Sequence, residues 1–223
     1  MSQLTLVIGN KRYSSWSLRP WMLLRHCGAA FEEIRVALYR PESRAEILRY
    51  SPSGKVPLLI DGNVKIWESL AICEYVAERF PAAQLWPNDA ATRALARSVA
   101  SEMHAGFAAL RMELPMNVEG PRSGVLPSPE AQADIDRIIS LWRDCRGRFA
   151  SAGPWLFGTY SVTDAMYAPV VLRFSTYRVG LPPEAQAYVE TTLADAPLRQ
   201  WIVAGLAESE VVPGAERGQL APS

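Results

Sequence analysis

Cysteine is scarce in this chain. There are three in 223 residues, Cys27, Cys73 and Cys145, far apart and with no CxxC. That spacing argues against a disulfide framework or a zinc site and fits a reducing compartment. An excess of either charge is also lacking, since 23 Lys and Arg balance 23 Asp and Glu. A nucleic-acid binder more often shows a basic surplus. No apolar run approaches the ~20 residues of a membrane span. The opening MSQLTLVIGNKR runs directly into a strand pattern and lacks a signal-peptide layout. Internal repeats and low-complexity tracts are absent. The expectation is a cytoplasmic protein with no metal and with neither nucleic acid nor membrane as partner. What the chain has in quantity is apolar residues, 49% of the total, ample for a packed core.

Local patterns divide the chain at about residue 80. Leu4–Ile8 reads as a buried strand, 9–15 as a polar loop, and the stretch up to Gly28 as a helix. Ser17 is its plausible N-cap, which puts Pro20 in the first turn, and Gly28 is a natural C-cap. A strand over 31–38 and a short helix within 41–50 follow. A strand over 56–60, the Asp61-Gly62 turn and the returning strand Val64–Trp67 form a hairpin. A helix over 69–80 completes the order βαβαββα. Two prolines and Asn88-Asp89 make 81–89 a linker. Beyond it strand signals almost vanish, and helices are expected over 90–114, 130–149, 163–177, 184–193 and 197–207. The tail after Glu210 is expected to fray. The domains are then residues 1–80, α/β, and 90–223, all-helical, each able to form its own core.

Several residues can carry chemistry. Ser14, Ser15 and Ser17 cluster where the first loop meets the first helix, a place suited to an anion. Pro57, opening a strand, is either an edge residue or a cis proline that turns the backbone of Val56 toward the serines, where it can pair with an extended peptide. Glu68-Ser69 is either a simple capping pair or a site for a group bearing both an ammonium and a carboxylate, which is an amino acid. Lys55 can reach a second carboxylate or is merely solvated. Ser161-Val162-Thr163-Asp164 matches a capping box, with a structural role.

These motifs, in this order, resemble the cytosolic glutathione S-transferases. SSWSLRPWMLL, SPSGKVPLLIDG, WESLAICEYVAERFP and WLFGTYSVTDAMYAPVV carry the likeness over nearly the whole chain. SSWSLR is closest to serine-type classes, similar to the zeta SSCSxR and the tau SPFSLR. The resemblance implies a thioredoxin-like N-terminal domain, a helical C-terminal domain and a homodimer. It makes Ser14 the catalytic hydroxyl, with Ser15 and Ser17 in reserve. It gives glutathione to Lys55, to the Val56 backbone before cis Pro57, and to Glu68 and Ser69 for the γ-glutamyl end. Trp16 stands where zeta members carry cysteine, which weighs against maleylacetoacetate isomerase activity, and the loop lacks the thiols that disulfide chemistry needs.

The implied activity is conjugation of glutathione, as co-substrate, to a small electrophile. A zeta-like isomerase and a non-enzymatic glutathione-binding interaction protein are the alternatives. Along the expected 90–114 helix, Met103, His104, Phe107 and Arg111 recur at helical spacing. His104 and Arg111 are then either a pocket wall with a cation for an acidic substrate or a solvated face. Trp16, Tyr167 and Phe174 are pocket residues or core.

Overall fold

The computed structural model describes residues 3–220. Four strands form one sheet in the order β2-β1-β3-β4. They are β1 (Leu4–Ile8), β2 (Phe31–Arg35), β3 (Leu58–Asp61) and β4 (Val64–Trp67). β1 runs parallel to β2 and antiparallel to β3, and β3 pairs antiparallel with β4. Strand alternation sends Leu4, Leu6, Ile8 and Leu59 into the main core. It sends Val7 and Leu58 to the opposite face, against Val36 and Ile47. The main-core face is covered by α1 (Ser15–His26) and α3 (Ser69–Arg79), the other by α2 (Ser43–Leu48). This is the expected thioredoxin-like βαβαββα sheet, and the rest of the chain is essentially helical.

α1 starts three residues earlier than a Ser17 cap requires. Ser14 is its N-cap and makes no capping bond, while Ser17 lies inside the first turn and accepts the Gly9 N–H at 3.1 Å. Pro20 is therefore past the first turn. The far end closes as a Schellman motif. Gly28, at φ +63°, donates to the Arg25 carbonyl, and Ala29 donates to that of Leu24.

After α3 comes a 3-10 turn, Pro81–Ala83. The stretch beyond it is packed down: Leu85 is buried and its carbonyl accepts the Val162 N–H at 2.9 Å. The expected 90–114 helix is broken into α4 (Ala90–Ala105) and α5 (Ala108–Glu113). Gly106 approaches the Glu102 carbonyl so closely that a Cβ would lie 2.8 Å from it. Phe107 is left-handed at φ +63°. α6 (Pro129–Phe149), α7 (Val162–Thr176), α8 (Pro183–Ala194) and α9 (Ala196–Leu206) follow. Every residue of α7 except Ser175 is buried, and α7 packs on α1, α3, α4 and α8. It joins the sheet-bearing half to the helical half. At its start the Ser161–Asp164 capping box is formed.

The tail is fastened rather than frayed. Residues 213–215 form a 3-10 turn, and β6 (Gln219–Leu220) pairs with β5 (Arg122–Ser123) inside what reads as loop. Glu216 accepts hydrogen bonds from the Tyr13 hydroxyl (2.6 Å), Asn117 (3.0 Å) and Arg122. Ala221 to Ser223, part of the expected frayed tail, lie outside the described residues.

Candidate active site

Two adjoining cavities open at the sheet end where α1 begins. One, of about 540 Å³, is lined by Ser14, Ser15, Trp16, Lys55 and Val56 on the sheet side, and by Arg111 and Arg173 on the helical side. The other, of about 220 Å³, is lined by Trp16, Lys55, Val56, Pro57, Trp67 and Glu68. Trp16, Lys55 and Val56 belong to both. The parallel β1–β2 unit and the β3–β4 hairpin thus bring loops from three parts of the sequence to one end of the sheet.

Ser14 and Ser15 are buried at the cavity wall, and Ser17 is fully buried behind them. The Ser14 and Ser17 hydroxyls are 2.8 Å apart. Ser17 Oγ already accepts the Gly9 N–H. Its own proton is free for Ser14 Oγ, which leaves the Ser14 proton available to the cavity. Either hydroxyl can donate in this pair; with Ser17 as the donor, a chain runs from the Gly9 N–H to Ser17 to Ser14, and such chains polarise the terminal hydroxyl. Ser14 is at the positive end of α1.

The Val56–Pro57 peptide bond is cis. Val56 lies in the loop before β3, which begins at Leu58 rather than at 56. Lys55 is exposed. Glu68 is exposed with φ +40°, an unusual backbone state for a residue with a side chain. Ser69 is fully buried, and its hydroxyl has no hydrogen-bond partner. α3 therefore opens without a side-chain cap.

The residues expected along one long helix separate once that helix breaks. Met103 and Tyr167 are fully buried and Phe107 nearly so, as is Phe174. None of them lines the large cavity. They belong to the core because α4 and α7 pack face to face there. His104 and Arg111 do not share a helix face. Arg111 instead folds back over the end of α4, donating to the carbonyls of Gly106 (3.0 Å), His104 (3.2 Å) and Met103. It still reaches the cavity. Its guanidinium stands 4.6 Å from the Trp16 ring centre, and His104 meets the same ring edge-on at 5.4 Å. Burial, then the Arg19 charge, lowers the His104 pKa and favours the neutral ring.

Tyr13 and Arg173 line the cavity and were not among the expected residues. The Tyr13 hydroxyl is committed to Glu216 and turned to the tail. Arg173 had a legible signal, as the one basic residue in the otherwise apolar run of α7. The cysteines supply no nucleophile. Burial pushes Cys27 up to about 11, and Cys73 and Cys145 to about 12. Any thiol chemistry here must use a sulfur brought by a ligand. Among the described residues, no cluster of His, Cys, Asp or Glu is arranged to hold a metal. No described helix is long and apolar enough to cross a membrane.

Fold and site together define a thioredoxin-like chain with hydroxyls where a redox protein needs thiols. Comparison with known proteins gives the class a name. The family description "Glutathione S-transferase, N-terminal domain" matches residues 13–79. Glutathione S-transferase T1 of Arabidopsis thaliana is 33% identical over 117 residues, 51% of this chain and 48% of that protein. The match thus spans about half the length of that relative. A probable maleylacetoacetate isomerase of Caenorhabditis elegans is 26% identical over 189 residues, covering 82% of this chain and 85% of the relative. A crystal structure of a glutathione transferase homolog from Burkholderia, with bound glutathione, superposes with a TM-score of 0.71 at 24% identity, over 93% of this chain and 100% of that one. The tau-class glutathione S-transferase of mango, Mangifera indica, gives 0.70 at 19% identity, over 96% of each chain. These structural likenesses establish the fold. Over residues 13–79 the chain is similar to the glutathione S-transferase N-terminal domain.

Proposed function

We propose that the protein binds glutathione across the two cavities, stabilises its thiolate with Ser14 and conjugates it to a small electrophile. The observation that carries this reading is the Gly9–Ser17–Ser14 chain ending in a hydroxyl at the cavity wall. Residues 1–80 are read as the glutathione-binding domain, 81–89 as the linker and 90–223 as the domain of the second substrate.

The orphaned Ser69 hydroxyl and the exposed Glu68 suit the γ-glutamyl carboxylate and ammonium. The Val56 backbone suits the cysteinyl unit, and Lys55 the glycyl carboxylate. A free thiol has a pKa near 8.5, so only a few per cent is thiolate at pH 7. Lowering that by about two units requires ~2.7 kcal/mol of preferential thiolate binding. A serine is too weak an acid to serve as base after deprotonation. Its hydroxyl donates a charge-assisted hydrogen bond, worth about 1.5–3 kcal/mol, and the α1 terminus adds a smaller amount. The thiolate then attacks the electrophilic carbon, and the leaving group departs with the bonding pair.

Ser14→Ala should lower kcat/KM for conjugation of a chloronitrobenzene by about tenfold to a hundredfold. Unchanged turnover would remove Ser14 from the activating role and pass it to Ser15 or Ser17. A homodimer is part of the reading. Light scattering should give twice the 24.7 kDa chain mass, and a monomeric mass counts against it.

The isomerase reading has one observation in its favour, the worm relative matched along most of both chains. Trp16, in place of the zeta cysteine, weighs against it. It predicts turnover of a maleyl dienone with no net consumption of glutathione, whereas the conjugation reading predicts stoichiometric loss.

A further inference from the structure

The large cavity is lined by five cationic side chains, Arg40, Arg44, Lys55, Arg111 and Arg173, and among the described residues by no carboxylate. The imbalance is unlike the chain as a whole, whose charges sum to zero. Two of the five face glutathione's proposed seat from the helical half. They are held there by main-chain carbonyls rather than by acids. Arg111 spans the broken end of α4. Arg173 donates Nε to the Leu114 carbonyl at 2.8 Å, at the end of α5. Carbonyls fix a guanidinium in place without cancelling its charge.

One guanidinium nitrogen of Arg111, Nη1, is buried with no partner. Behind Trp16 lies Arg19, fully buried, 4.3 Å from the ring centre and with none of its three side-chain nitrogens hydrogen-bonded. Asp134 attracts Arg111 from α6, but its Oδ2 accepts the Leu110 N–H at 3.0 Å. Burial, then Arg111, lowers Arg173 to about 9, a sign of how poorly these charges are compensated. An anion that enters the cavity supplies the missing charge.

We infer that Arg111 and Arg173 form an anion subsite for the second substrate, which is an electrophile bearing a carboxylate on an apolar body. The inference rests on the proposed function for the identity of the other reactant. The anion subsite itself does not depend on it. Trp16, Pro115 and Met116 supply the apolar wall for the body.

Two measurements on the full chain test it. In the first, benzoate and benzamide are titrated by tryptophan fluorescence and thermal shift, alone and with saturating S-methylglutathione. Benzoate should bind at least about tenfold more tightly than benzamide, and S-methylglutathione should leave that affinity in place. Arg173→Gln should remove the preference, Arg173→Lys should retain most of it, and Lys55→Gln should not affect it. Equal binding of benzoate and benzamide overturns the subsite. So does displacement of benzoate by S-methylglutathione, or loss of the preference in Lys55→Gln and not in Arg173→Gln. Benzoate binding with no binding of S-methylglutathione upholds the subsite and defeats the glutathione reading.

In the second, conjugation of an unsaturated acid is compared with that of its amide, each rate divided by the uncatalysed one. The native acid-to-amide ratio of kcat/KM should exceed about ten and fall toward one in Arg173→Gln. A native ratio near one overturns the proposal without any variant.

Discussion

Two helices in this molecule open on a serine and a carboxylate, and the pairs are in opposite states. At α7, Asp164 is buried, and burial pushes its carboxyl up to about 6. Four donors nonetheless converge on it: the N–H groups of Leu156 and Ser161, and the hydroxyls of Ser161 and Tyr188. At α3, Glu68 is exposed in a left-handed state and the Ser69 hydroxyl is buried with nothing to bond. The same residue types have closed one helix end and left the other open. A closed cap adds to stability. An open one costs stability unless a ligand fills it.

The contrast can be broken most sharply at Asp164. Asp164→Ala strands four buried donors, and urea unfolding should show a loss of about 3–4 kcal/mol. Ser69→Ala should change stability by less than about 0.5 kcal/mol, since the hydroxyl it removes has no partner. If both variants lose equally, the α3 opening is as structural as the α7 box. The same Ser69→Ala protein should bind glutathione about tenfold more weakly by calorimetry, the loss of one hydrogen bond to a charged group.

Ser17→Ala should be intermediate. It strands the Gly9 N–H, at about 1–2 kcal/mol, and leaves Ser14 without its donor, so stability and kcat fall together. A loss of stability with full activity would show that Ser14 needs no support from behind.

The smallest effect belongs to the tail. Burial works against ionisation of Glu216, but hydrogen bonds from Tyr13, Arg122 and Asn117 hold its carboxyl below the usual range. A depressed carboxyl gives stability that is present above its unfolded pKa of about 4.3 and is lost as pH falls through the folded value. Protection against hydrogen exchange in residues 211–220, taken relative to the intrinsic amide rate at each pH, should therefore fall on acidification below about pH 4.5. In Glu216→Gln it should already be low at pH 7.

The sheet was legible because its signals are local. The apolar run Leu4–Ile8, the Asp61-Gly62 turn and the glycine after α1 each act within a few residues. The order of the serine, Val-Pro and Glu-Ser motifs was legible for the same reason. The break between α4 and α5 was not. The apolar spacing runs on through Gly106, and what breaks the helix is a left-handed Phe107 whose ring is buried in the core. With that break the expected pairing of His104 with Arg111 disappears, and Arg111 becomes a cap for α4. Ser17 was misplaced because a serine near a helix start looks alike to sequence whether it caps its own helix or reaches back to the end of β1. The tail was misjudged because its small residues say nothing of Arg122 and Tyr13, far away in sequence, which hold it.

The most direct test is the ionisation of glutathione bound to the protein, followed by the ultraviolet absorbance of the thiolate across pH. In the native chain the bound thiol should titrate about two units below free glutathione, and in Ser14→Ala about one to two units higher than in the native chain. A bound thiol that titrates at the same pH in both would contradict the assignment of Ser14 as the thiolate's donor.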